Sequence, residues 1–149
     1  MSLKDLLAQG SLKPHKTSKE EIENLLDLVR RDIKDAKVKT ISVDRRFAIA
    51  YNAVLQMATA IIYCRGYMPT GWGHHYTVFK SLKFIMGENY NDIADYFDSC
   101  RSKRNITDYR RTGEISESET DELIGEAEDF LNIVLEFIKK HHPSLLKPL

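Results

Sequence analysis

The stretch Val43 to Arg65, VDRRFAIAYNAVLQMATAIIYCR, decides the fold. It is apolar nearly all round, and its alanines, Ala48, Ala50, Ala53, Ala58 and Ala60, let neighbouring elements come close. A helix that is apolar on every side is buried on every side. Asn52, Gln56 and Thr59 break its apolar run, so it is not read as a membrane span, which needs about 20 predominantly apolar residues. It is the expected central helix of a bundle.

The flanking segments supply what surrounds it. Upstream, a short helix from about Leu3 to Gln9 is stopped by Gly10 and Pro14. Thr17 or Ser18 then caps a longer helix, in which Ile22, Leu25, Leu26, Val29 and Ile33 form one apolar stripe running to about Lys37. Downstream, Gly66 fits a helix C-terminus, and GYMPTGWG reads as a loop. The pattern predicts a third long helix from about His74 to Met86 and a fourth from about Tyr90 through Arg104, reaching Tyr109 before Thr112 and Gly113. In the last helix Ser116 with Glu119 fits a capping box, and Leu123, Ala127, Phe130, Leu131, Val134 and Ile138 share a face until Pro143. No segment alternates like a strand. The expected fold is all-α, an antiparallel bundle of four to five helices in one domain over 1–149, with 1–17 a short N-terminal extension.

Composition narrows the function classes. The chain of 149 residues balances 22 cations against 22 acids, which argues against bulk electrostatic binding to nucleic acid or to a membrane. The charge is unevenly placed. From Arg101 to Arg111 there are five Lys or Arg and one acid, whereas Glu114 to Asp129 holds eight acids and no Lys or Arg. A basic patch beside an acidic helix face is expected. Cys64 and Cys100 lie far apart in apolar settings, without metal-ligand spacing, and read as reduced thiols. The N-terminus is too polar for a secretory signal, and a cytoplasmic location is the expectation.

Chemistry concentrates at the end of the fourth helix. Ile93, Phe97, Cys100 and Arg104 are spaced four, three and four apart, so Arg104 falls on the face that buries the apolar residues. A guanidinium aimed inward needs a carboxylate, a phosphate or a wet cleft. Asp108 lies four residues on, and Arg101 and Asn105 have the same spacing. Such pairs contribute roughly 0.2 to 0.5 kcal/mol each. The alternative is phosphate recognition, which suits the planar fork of Arg. Asn52, Gln56 and Thr59 form a polar seam that Arg45 and Tyr63 extend. Either neighbouring helices satisfy its amides, or it lines a cleft with Arg104. His74 and His75 begin a helix without ligand partners at metal spacing, and no metal or cofactor is expected.

The run R-x-K-R-N-x-x-D-Y from Arg101 to Tyr109, followed by a long acidic helix and preceded by YNAVLQMATAIIYCRGYMP and a helix that begins with His, resembles the HEPN superfamily. The resemblance covers roughly Val43 to His142 and points to small stand-alone bacterial and archaeal members. It implies an α-helical bundle, a homodimer whose motif helices meet, and in many members a metal-independent ribonuclease built on R-x(4-6)-H. Such members are often paired with a minimal nucleotidyltransferase as toxin and antitoxin. Others are non-catalytic modules that bind RNA, nucleotide or a partner protein. Arg104 matches the motif Arg, Asn105 follows it, and Tyr109 stands where the motif His would be.

That departure has a chemical consequence. Metal-free RNA cleavage needs a base for the 2′-hydroxyl and a cation for the charged phosphorane. Arg104 suits the second role. A Tyr with its ordinary pKa near 10 is ionised in about one molecule per thousand at pH 7, so Tyr109 is a poor base. Two readings follow. The favoured one is a non-catalytic or weakly active module binding RNA, nucleotide or a nucleotidyltransferase through Arg101, Asn105, Asp108, Asn52 and Gln56, in a toxin-antitoxin or stress-response system. The other is a ribonuclease with Arg104 and Tyr109 catalytic at a dimer interface. A hydrolase using His74 or His75 as base ranks third.

Overall fold

The computed structural model describes residues 1–71, 74–109 and 115–147, with residues 105–109 described by backbone alone. Among these the order is α1 (Leu3–Ala8), β1 (Leu12–Pro14), α2 (Lys19–Ala36), α3 (Val43–Cys64), β2 (Tyr67–Pro69), α4 (His74–Met86), α5 (Asn91–Tyr109) and α6 (Glu117–His141). Short 3-10 turns at Glu88–Tyr90 and Pro143–Leu145 follow α4 and α6. The fold is all-α, as the sequence predicts.

Local chemistry sets the helix boundaries. Ser18 caps α2, its hydroxyl accepting from the Glu21 N–H at 3.1 Å. Ser116 and Glu119 close the capping box of α6. Gly66, with φ +90°, takes the left-handed conformation past the end of α3 and turns the chain into β2. The two strands pair antiparallel, Leu12 opposite Pro69 and Pro14 opposite Tyr67. Three residues are too few for alternation to be read from sequence, so the ribbon is an addition to the expected architecture. Residues 1–17 bring Leu6 and Leu12 into the same core as the helices.

Helix α3 is the axis. It packs against α2, α4, α5 and α6, and Phe47, Ala50, Tyr51, Val54, Met57, Ile61 and Ile62 are all buried. It is long and apolar enough to cross a membrane by length and composition, yet 61% of that window is buried inside the bundle. The opposing faces come from Ile22, Leu26 and Val29 of α2, from Leu123, Phe130 and Val134 of α6, and from Phe79 and Phe97 of α4 and α5. Phe97 meets Phe130 edge-on at 5.1 Å and Phe79 at 6.1 Å, which ties α4, α5 and α6 together.

One cation sits inside this packing. Arg46 is 2% exposed. Its Nε donates to the Ala36 carbonyl at 2.7 Å, and a second guanidinium nitrogen reaches Asp121 at 3.3 Å. The side chain therefore satisfies a carbonyl left open at the end of α2 and holds α2, α3 and α6 at one point. Lys39 adds pairs to Glu117 and Asp121, and Lys37 pairs with Glu128 at 2.6 Å. The acidic face of α6 is thus answered by the α2 to α3 connection.

Replacing Arg46 with Ala should lower stability by about 2–4 kcal/mol, because it opens a cavity and leaves the Ala36 carbonyl buried without its donor. Asp121→Asn, which takes the carboxylate from the buried Arg46 guanidinium but keeps a hydrogen-bond acceptor, should cost less, about 1–2 kcal/mol. Urea denaturation of both variants checks the order.

Candidate functional site

Helix α5 buries Phe97 and Cys100, and one further turn along that face places Arg104 against α3. Its guanidinium carbon lies 5.6 Å from the centre of the Tyr51 ring, a cation-π approach. The Tyr51 ring is fully buried and meets Phe79 edge-on. Its hydroxyl lies 3.1 Å from Nδ1 of His75, the second residue of α4. Arg101, one turn before Arg104, is held by Asp98 through its Nε at 2.9 Å. Three helices thus bring a phenol, an imidazole and two guanidiniums together. Exposed His74 packs edge-on against His75 at 4.3 Å, and exposed Tyr76 follows.

The electrostatics have a definite sign. Burial, the neighbouring His74, and the charges of Arg104 and Arg101 push His75 down to about 4, so it is neutral at pH 7. Burial raises Tyr51 well above the ordinary phenol value, which outweighs the opposing pull of Arg104 and Arg101. Tyr51 therefore keeps its proton. A buried hydroxyl needs an acceptor, and the guanidiniums beside it are donors only. Among the described residues, Nδ1 of His75 is the acceptor at hand. Donation from Tyr51 to Nδ1 leaves the imidazole proton on Nε2. In this arrangement His75 is a neutral donor at Nε2, and its accepting nitrogen is occupied.

The other residues picked from the sequence are distributed differently. Arg101 joins Arg104. Gln56 turns away to α2, donating to Asp32 at 2.9 Å, and Thr59 donates to the Leu55 carbonyl at 2.8 Å. Asn52 and Arg45 are exposed. Tyr63 stacks with His15, 4.5 Å away, which in turn contacts Glu21. The polar seam therefore divides into separate contacts with α2, the N-terminal segment and solvent, and does not line a cleft with Arg104. The side chains of Asn105, Asp108 and Tyr109 lie outside the described residues, as do Arg110, Arg111 and Trp72. Lys103 pairs with Glu119 at 2.7 Å, joining the basic run to the acidic helix.

Among the described residues no three His, Cys, Asp or Glu side chains are grouped as for a metal ion. Cys64 and Cys100 are buried free thiols, and burial pushes each up to about 11. A cleft of about 930 Å³ between α2, α6 and the C-terminal turn is lined by Glu23, Arg30, Leu135, Lys139 and Lys147, among others. It holds none of the residues singled out from the sequence.

Sequence reasoning passed over Tyr51, which reads as one more apolar position of the central helix. His75 shows no partner in the sequence, because that partner lies 24 residues upstream on another helix. Arg46 was missed although its spacing marked it. It stands four residues before Ala50 and seven before Ala53, on the face of α3 that is buried.

A family model described as SAV_6107-like HEPN matches residues 37–135, which span α3 to α5 and most of α6 and include Tyr51, His75, Arg101 and Arg104. Neither the curated proteins nor the solved structures give a match.

The His75 imidazole should titrate with a midpoint of about 4 by NMR. An unfolded-chain His has a value near 6.5, so the unfolded state binds more protons between these two values. The contribution of His75 to stability is then fully present above about pH 6.5 and is lost as pH falls towards 4. Arg104→Gln should move the midpoint upward and narrow that window.

Proposed function

The chain belongs to the SAV_6107-like HEPN family, and from that premise we propose that it is a non-catalytic binding module for a phosphate-bearing ligand, RNA or nucleotide. The observation that carries this reading is the convergence of Arg104 on the Tyr51 ring whose hydroxyl is tied to His75 Nδ1. Guanidiniums and an imidazole N–H donate hydrogen bonds to anions, and the exposed rings of His74 and Tyr76 lie on the same helix as His75. The proposal includes a homodimer in the cytoplasm and, as a partner, a minimal nucleotidyltransferase in a toxin-antitoxin or stress-response setting.

Catalysis is the second reading, favoured by the presence of an imidazole beside Arg104. A base must offer a free lone pair to the 2′-hydroxyl. His75 has Nδ1 engaged by Tyr51 and a proton on Nε2, which suits binding better than proton abstraction. Gln56, turned to Asp32 on α2, drops out of the proposed ligand contacts, while exposed Asn52 stays among them with Asn105, Asp108 and Tyr109, which continue the helix of Arg104.

The test is RNA and nucleotide binding by the purified chain in excess EDTA, with cleavage followed in the same samples. Binding should weaken at least about tenfold (1.4 kcal/mol) in Arg104→Ala compared at matched thermal stability, and its salt dependence should flatten. The RNA should stay intact. Arg104-dependent cleavage in EDTA would overturn the binding reading in favour of a ribonuclease.

A further inference from the structure

We propose that the site formed by Tyr51, His75, Arg101 and Arg104 takes a terminal phosphate, the monoester dianion at the end of a nucleotide or an RNA strand, and takes it together with a proton that lands on His75. The inference rests on the phosphate-binding reading and names the ligand class of that same site.

Three helices surround the His75 imidazole. Tyr51 of α3 donates to Nδ1. From α4, His74 packs against the ring and Tyr76 follows it in sequence. From α5, Arg104 and Arg101 act on it through their charges, while Asp98 holds Arg101. The two guanidiniums and the second imidazole all disfavour a charge on His75. An anion placed among the same groups reverses the sign of the local field, and in a half-buried setting that reversal is weakly screened.

The size of the reversal selects the ligand. An internal phosphodiester carries one negative charge and two non-ester oxygens. A terminal monoester carries about −1.5 to −2 at pH 7 and three acceptor oxygens, enough for both guanidiniums and Nε2–H at once. A diester can satisfy the arginines but offers about half the charge to stabilise an imidazolium.

The proton balance is simple. Nε2 already holds a proton, so the added one, drawn from solvent, goes to Nδ1. Tyr51 must then accept where it had donated. Rotation about its C–O bond does this, turning the O–H from Nδ1 towards the bound anion as its new acceptor, with the 3.1 Å separation kept. No bond between heavy atoms forms or breaks. Tyr51 is thus a positioning residue that fixes the tautomer in the empty site and the orientation in the filled one.

The experiment follows the imidazole resonance of His75 by NMR in the full chain. The probes are a nucleoside 5′-monophosphate, a dinucleoside monophosphate without a terminal phosphate, and one short RNA in 5′-phosphorylated and 5′-hydroxyl forms. Calorimetry in two buffers of different ionisation enthalpy accompanies it, with His75→Gln as the control for the phosphate's own ionisation. The monoester should bind about tenfold or more tighter than the diester and move the His75 midpoint above about 6. Wild type should take up more protons than His75→Gln, and the excess should grow as pH falls from 7.5 to 6.5. The two 5′-phosphorylated probes distinguish a free nucleotide from an RNA end as the source. Equal binding of monoester and diester, or an unmoved His75 midpoint with ligand bound, would refute the inference while leaving phosphate binding standing. Absence of any Arg104-dependent binding would remove both.

Discussion

The burial of most of α3 is the constraint from which the rest of this fold follows. With Ala50, Ala53, Ala58 and Ala60 buried beside Phe47, Tyr51, Met57 and Ile61, only the narrow line through Arg45 and Asn52 is exposed to water. The remaining faces need neighbours, and four helices provide them. The alanines bring those neighbours close, and the large residues between them fill the layers, so helix positions are set by shape as well as by apolar area. The polar groups that α3 carries into this interior then become the decisive ones, since each needs a partner from another element.

Two such groups organise opposite requirements. Arg46 is buried near the start of α3 and is matched by a carbonyl and a half-exposed carboxylate, so its charge is spent on holding α2 and α6. Tyr51, little more than a turn later, finds an imidazole for its hydroxyl and a guanidinium over its ring. The Arg46 contacts join α2, α3 and α6 at one buried point. The Tyr51 contacts gather donors at one place, and both arrangements come from the same demand for satisfaction.

How much of this was legible depended on the distance along the chain over which the signal acts. Helix boundaries rest on caps and glycines within a few residues, and Ser18, Ser116 and Gly66 stood where their chemistry implied. Arg104 was legible because Phe97 and Cys100 precede it on one face. Arg46 would have followed from the same spacing, but the polar seam drew attention to its exposed neighbour Arg45. The Tyr51 to His75 contact joins residues 24 apart, and Gln56 reaches Asp32 over the same separation. No local period encodes either, because each depends on how two helices are rotated against one another. The β1 and β2 ribbon escaped for a different reason, being held by pairing between segments more than 50 residues apart with too few residues to alternate.

The family resemblance pointed to Arg104 on α5 as the motif Arg and to Tyr109 where the motif His would stand. The structure supplies an imidazole from α4, the helix whose His-bearing start is part of the resemblance, and the way it is held bears on its chemistry. A base near neutral pH requires an accessible lone pair and a proton affinity matched to the solvent. His75 has its accepting nitrogen covered by a phenol that cannot easily ionise, and its proton affinity is lowered by burial and by cations. Both conditions run against proton abstraction in the empty site. The same two conditions suit a neutral donor whose charge state answers to the charge of what binds beside it. The expected standing of Tyr109 in the place of the motif His and the capture of His75 by Tyr51 therefore favour the same proposal, that this HEPN bundle recognises a phosphate group.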